Sequence, residues 1–199
     1  MVFSELVNTL KSEGYDYCAT SQLEDWVQRS YAQISAQYNW PWLEELKESV
    51  APFEIKDLRY ILSVTDTTQE RPLWGATRQW ILERYPKLEE QGNAVWWFLD
   101  NLTLRLFPLC EDKVAVRYIK KAPVLLAASE PLIPTEWQYL IIDWARVFAL
   151  KNNDEYSIAR EAKADVEASL NEMIADQLQR DRQSNRSIVR TAPYGCGDL

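Results

Sequence analysis

The stretch AVWWFLDNLTLRLFPLCEDKVAVRYI, residues 94–119, decides the fold class. It divides into three runs, 94–100, 102–107 and 114–119, each rich in β-branched and aromatic residues. Such residues suit a pleated, half-buried surface. Between the runs stand Asp100-Asn101 and Cys110-Glu111-Asp112, short polar breaks with turn character. A parallel crossover needs a dozen or more residues, so joints this short predict an antiparallel meander. Upstream, Arg59-Tyr-Ile-Leu-Ser-Val-Thr65 reads as another strand, followed by a polar turn over 66–71 and by Pro72-Leu-Trp74. Residues 77–85 read as a short helix with Trp80 and Ile81 on one side.

Helical periodicity frames this β-rich middle. Phe3, Leu6, Val7 and Leu10 have i, i+3, i+4, i+7 spacing, and Gly14 offers a stop. Ser21-Gln-Leu-Glu24 has the capping-box pattern. Behind it Leu23, Trp26, Val27, Tyr31, Ile34 and Tyr38 line one face, until Pro41 disfavours helical geometry at Trp40. After a Pro-punctuated connector, Trp137, Leu140, Ile141, Trp144, Ala145 and Phe148 mark a helix that Pro134-Thr135 can open. Asn152-Asn153-Asp154 breaks it, and a longer, more polar helix runs to about Gln183. The fold class is α+β: a small helical bundle (1–49 and 133–183), an inserted antiparallel β domain (50–132) and an extended C-terminal arm (184–199). The predicted helical core is Trp26, Ile34, Trp137, Ile141, Trp144 and Phe148.

Composition excludes several classes of function. The 199 residues contain no histidine, which removes Ser-His-Asp and Cys-His catalysis and imidazole zinc sites. Cys18, Cys110 and Cys196 are widely spaced and form neither a CxxC pair nor a disulfide framework. Phosphate-cradling and metalloprotease motifs do not occur. Glu44-Glu45 and Glu89-Glu90 read as solvated acids. The expectation is no catalytic residue, no cofactor and no metal. A net charge of −8 makes the chain a poor duplex binder. The opening residues do not form a signal peptide, and the most apolar long run, 139–150, is interrupted by Asp143 and Arg146 and is too short to cross a bilayer.

Two features stand above this background. Nine Trp and ten Tyr are a heavy aromatic load, with clusters at Trp40-Pro-Trp42 and Trp96-Trp97. Such residues serve a core or an interface equally well. Along a strand, only one of Trp96 and Trp97 faces the insertion's own core, and the other is a candidate for a subunit or tail interface. The second feature is the basic end, where Arg180, Arg182, Arg186 and Arg190 follow an acidic body. It is either a solvated tail or a docking arm that orders on a partner, offering Arg186, Ile188, Val189, Arg190 and Tyr194. Ordering about fifteen residues costs on the order of 15–30 kcal/mol of backbone entropy, so extended pairing with a partner would be required.

The order of these signals resembles the phage head-to-tail adaptor family. The carriers are Leu23-Glu-Asp-Trp26-Val-Gln-Arg-Ser-Tyr31-Ala-Gln-Ile34 followed by Trp40-Pro-Trp-Leu-Glu44, similar to the family's "W-I-N-x-A-Y-x-x-I" helix and "W-P-F-L" segment. Val27 and Gln28 replace the usual Ile and Asn. Asp57-Leu-Arg-Tyr-Ile-Leu-Ser-Val-Thr-Asp66, Trp96-Trp-Phe98, Leu104-Arg-Leu-Phe-Pro108, Val116-Arg-Tyr-Ile-Lys-Lys-Ala-Pro123 and Ile133-Pro-Thr-Glu-Trp137 resemble its successive strands and the opening of its third helix. The layout is also similar to that of the tail tubular adaptors of short-tailed phages. The resemblance implies a structural virion protein in the tail or neck, assembled in the host cytoplasm. It implies a ring, usually dodecameric, that binds the portal protein and receives tail nozzle or tail-completion proteins while the genome passes through. It also implies portal attachment through the C-terminal arm. Without the resemblance, the residues fit a non-viral α+β protein-binding module or regulatory subunit.

Overall fold

The computed structural model describes residues 1–86 and 88–189, with side chains as far as 181. In chain order the elements are α1 (Phe3–Leu10), α2 (Thr20–Gln37), β1 (Glu44–Val50), β2 (Phe53–Glu54), β3 (Leu58–Asp66), β4 (Arg71–Pro72), β5 (Trp74–Gly75), α3 (Arg78–Arg84), β6 (Trp96–Asp100), β7 (Thr103–Phe107), β8 (Lys113–Lys120), α4 (Tyr139–Asn152) and α5 (Tyr156–Val189). The fold is α+β. The chain forms two compact units, one of residues 1–34 with everything from Val124 onward, the other Ser35–Pro123.

The first unit is helical. α1 buries Phe3, Leu6, Val7 and Leu10. The first N–H groups of a helix lack intrahelical partners. Here the connector supplies two, since Phe3 donates to the Ser129 carbonyl at 2.8 Å and Ser4 to that of Ala127 at 3.2 Å. Gly14, at φ 101°, takes the left-handed conformation that turns the chain away from α1. α2 begins at Thr20, so Ser21 lies inside its first turn; the Ala19 carbonyl accepts from Gln22 and Leu23 instead. Leu23, Trp26, Val27, Tyr31 and Ile34 are buried along it.

α4 packs against both α1 and α5 and buries Leu140, Ile141, Ile142, Trp144, Ala145, Val147 and Ala149. Two expected core residues are corrected. Trp137 and Phe148 are half-buried. Trp137 falls in a 3-10 turn, Thr135–Trp137, ahead of α4, so its direction is not set by the helix that follows. Phe148 is one turn beyond Trp144, towards the C-terminal end of α4 at Asn152. Along α5 the buried stripe is thin: Ala159, Val166, Leu170 and Met173. Residues 184–189 continue α5 rather than beginning an extended arm, in keeping with a sequence whose first Gly or Pro after Gln183 is Pro193.

The second unit is a sandwich, not the single meander expected. One sheet has the order β1-β8-β3-β4, the other β2-β7-β6-β5. The pairs are antiparallel apart from β5–β6, which is parallel. Ile61, Val64, Val114, Val116 and Tyr118 from the first sheet meet Leu104, Leu106 and Trp97 from the second in one core. On the second sheet's other face Phe98 and Phe107 pack with Ile81 of α3. β1 departs from the expectation of a helical part up to 49: EELKESV is a strand that pairs with β8 along its whole length. Its polar alternation is supported across the strands by Glu44–Arg117, Glu45–Lys120 and Glu48–Lys113 ion pairs.

Candidate interaction surfaces

The adjacent pair Trp96-Trp97 points to opposite faces of β6. Trp97 packs against the sandwich core. Gly75 on β5 lies directly against it: a β-carbon there would stand 2.9 Å from the Trp97 ring. Trp96 turns the other way, its ring 5.6 Å from that of Trp80 on α3 and 6.1 Å from that of Tyr85. Both tryptophans are half-buried.

Around Trp96 the structure gathers residues that the sequence reading did not single out. Trp74, Gly75, Ala76, Thr77, Trp80 and Trp96 line an open cleft of about 270 Å³. Trp74 is 68% exposed, which no core role accounts for. The Thr77 hydroxyl accepts from the Trp80 N–H at 3.1 Å and so starts α3 at the cleft wall. The Arg84 guanidinium sits 4.0 Å over the Trp80 ring. Three tryptophans from an edge strand, a short helix and β6 thus form one aromatic surface. Trp74-Gly75 follows the turn over 66–71, in a stretch too short to show a common face by periodicity.

At the C-terminal end, Arg180 pairs with Asp176 at 2.8 Å and reaches Glu136 at 3.7 Å. Arg186, Ile188 and Val189 lie in the last turns of α5 by backbone, and their side chains are outside the described residues, as are Arg190 and Tyr194 altogether.

The charged clusters have structural explanations. Between α4 and α5 a cleft of about 270 Å³ is lined by Asp143, Arg146, Asp165 and Ser169 among others. Arg146 is held by both Glu13 and Asp143. Burial raises the Asp143 carboxyl above its ordinary value, against the opposing pull of Arg146. Burial also raises the Tyr118 phenol, helped by Asp57 and Glu45, and the Cys110 thiol. A raised thiol is less nucleophilic at neutral pH. Asp66, fully buried, accepts from the Thr68 and Gln69 N–H groups at 2.9 and 3.1 Å and so builds the turn after β3. Among the described residues no group of three or more Cys, Asp or Glu side chains is placed to hold a metal ion. No helix among them is long and apolar enough to cross a membrane.

No curated protein matches the chain. The family model for the SU10 adaptor protein matches residues 1–192, almost its full length, and the chain belongs to that family of phage head-to-tail adaptors.

Proposed function

We propose that this adaptor forms a ring, twelve copies in the reading the family suggests, that joins the portal to the tail and surrounds the path of the genome. Family membership makes the protein a phage adaptor of the virion neck with portal and tail proteins as partners. That match over 1–192 is the observation that carries the proposal. The net charge of −8 supports a channel role: a wall that lacks surplus Lys and Arg does not hold passing phosphates. The protein acts by binding and not by catalysis. It has no histidine, and its displaced ionisation equilibria are accounted for by burial and ion pairing. Assembly takes place in the host cytoplasm.

Each proposed contact has its own surface. The C-terminal segment, with Arg186, Ile188, Val189, Arg190 and Tyr194, docks on the portal, where avidity across a ring multiplies a modest single-arm affinity. The aromatic surface around Trp96, with Trp97 as its inward-facing neighbour, meets a neighbouring subunit or a tail nozzle or tail-completion protein. The two compact units are independent domains, the β-rich one carrying the tryptophan surface. Truncation after Gln183 tests the portal contact. The shortened chain is expected to fold and to fail to attach to portal; normal attachment would overturn the arm's role.

A further inference from the structure

Four strands border the two sheets: β1, β4, β2 and β5. Three of them are two residues long, which is one way in which natural sheets blunt their edges. β1 is the exception. It runs seven residues and pairs with β8 from Glu44 to Val50 with no register shift. It contains no proline, and each of its charged side chains has a partner within the same unit. Glu45 lies 3.0 Å from Lys120 and Glu48 2.6 Å from Lys113. Glu44 is paired with Arg117. The Lys47 ammonium donates to the Glu54 carbonyl at 2.9 Å and sits over the Phe53 ring. What β1 shows outward is Leu46, 59% exposed, Val50, 52% exposed, and between them Glu48, which is paired with Lys113. On the opposite side of the same sheet, β3 pairs with β4 only at Thr65 and Asp66. The length of β3 before Val64 therefore borders a second open edge, and Tyr60 and Leu62 are exposed along it.

We propose that β1 of one copy pairs with the open length of β3 in the next copy, so that the first sheet continues from subunit to subunit. The proposal rests on the ring reading and gives that ring its contact. Each copy offers one edge of each kind, on opposite sides of one sheet, as a head-to-tail interface requires. β1 and β3 both run antiparallel to β8, so they point the same way. A modest rotation between neighbours keeps that direction, and the new pair is parallel. Side chains also match. Glu44 and Tyr60 both stand opposite Ile119, and Leu46 and Ser63 both opposite Arg117; the register shift in β3 between Ile61 and Ser63 is what keeps Tyr60 and Ser63 on the one face. Joining the edges sets Leu46 beside the neighbour's Tyr60 and Leu62 and leaves Val50 at the Val64 end of the open length, so that three exposed apolar side chains meet. The acids that open β1 come to lie near the exposed Lys56 that precedes β3. Pairing of β1 with itself about a two-fold axis centred on the strand would instead set Lys47 against Lys47 and stop at two copies.

Cysteine trapping tests this. Adjacent strands bring Cα atoms within disulfide range. With Cys18, Cys110 and Cys196 replaced by Ser, the double variants L46C/Y60C and L46C/L62C are oxidised as free chains and within neck assemblies from virions that carry them. Circular dichroism confirms that each variant is folded. The expected result is a ladder of dimers, trimers and higher species from at least one double variant in at least one setting, with single variants remaining monomeric. Dimers from L46C alone would show two-fold pairing and overturn the head-to-tail contact. Absence of a ladder in both settings, with a ring of this chain visible in the neck by electron cryomicroscopy, would overturn the sheet contact and leave the ring standing. A neck without such a ring would overturn both.

Discussion

Replacing Arg59 by Ala should unfasten the end of α2. The Arg59 guanidinium donates to the carbonyls of Ser35 and Ala36, each at 2.6 Å, and of Tyr38 at 2.9 Å. The last carbonyls of a helix have no partner within it, and here one planar fork from β3 meets two of them and that of the residue just after the helix. A hydrogen bond to a charged group contributes about 1.5–3 kcal/mol. The three share one side chain and part of the fork is at the surface, so the loss is nearer ~3 kcal/mol than their sum. For a chain of this size each kcal/mol moves the melting temperature by about 2–4 °C, so R59A should melt roughly 6–12 °C lower. R59K, a point charge that cannot bridge three carbonyls, should recover less than half. The assays are thermal melting by circular dichroism and amide hydrogen exchange over residues 35–43, which should accelerate in R59A. A melting point within about 1 °C of the parent, with unchanged exchange in that segment, would refute the reasoning.

Three further outcomes follow from packing and burial. Trp144→Ala empties a site in α4 that is 3% exposed and should cost about 3–5 kcal/mol in urea denaturation; a loss under about 1 kcal/mol would mean that the site is not closed. Gly75→Ala forces a methyl group onto the Trp97 ring and should cost about 1–3 kcal/mol, whereas a surface alanine elsewhere would not. Asp143 has a folded-state carboxyl raised above its ordinary value by burial, so its ionisation opposes folding. Its contribution is most favourable at acid pH and declines as pH rises through the raised value. Asp143→Asn should therefore be close to neutral at pH 7, within about 1 kcal/mol, and the parent should gain on the variant as pH falls through the carboxylate range, as read by melting temperature against pH.

The elements legible in the sequence are those with strong periodicity or dense β-formers. α1, α2, α4 and the strands β3, β6, β7 and β8 all fall where the spacing of apolar residues puts them. Leu23, Trp26, Val27 and Ile34 of the predicted α2 face are buried as read. β1 was illegible because Glu44, Glu45, Lys47 and Glu48 look like a solvated helix end. Their stabilisation comes from Arg117, Lys120 and Lys113, some seventy residues away, and no local window contains that information. The same distance hid the sandwich, since short joints establish antiparallel pairing but not which strands share a sheet. Trp96 and Trp97 were legible as a pair that splits between two faces. Trp74 was not, because an edge strand of two residues carries no period; Trp80 was placed on its short helix, but nothing local shows that this helix meets Trp96. Of the C-terminal residues, composition marked the basic character, while the continuation of α5 through Val189 follows from the absence of a helix breaker before Pro193.

The most direct measurement of the central claim is an electron cryomicroscopy reconstruction of the neck of the virion that encodes this chain. The account predicts a closed ring of this protein immediately below the portal, its helical and β-rich units fitting the density, its C-terminal segment on the portal and its lumen open to the genome. Density for this chain elsewhere in the particle, or a neck in which portal and tail meet without it, would contradict the account.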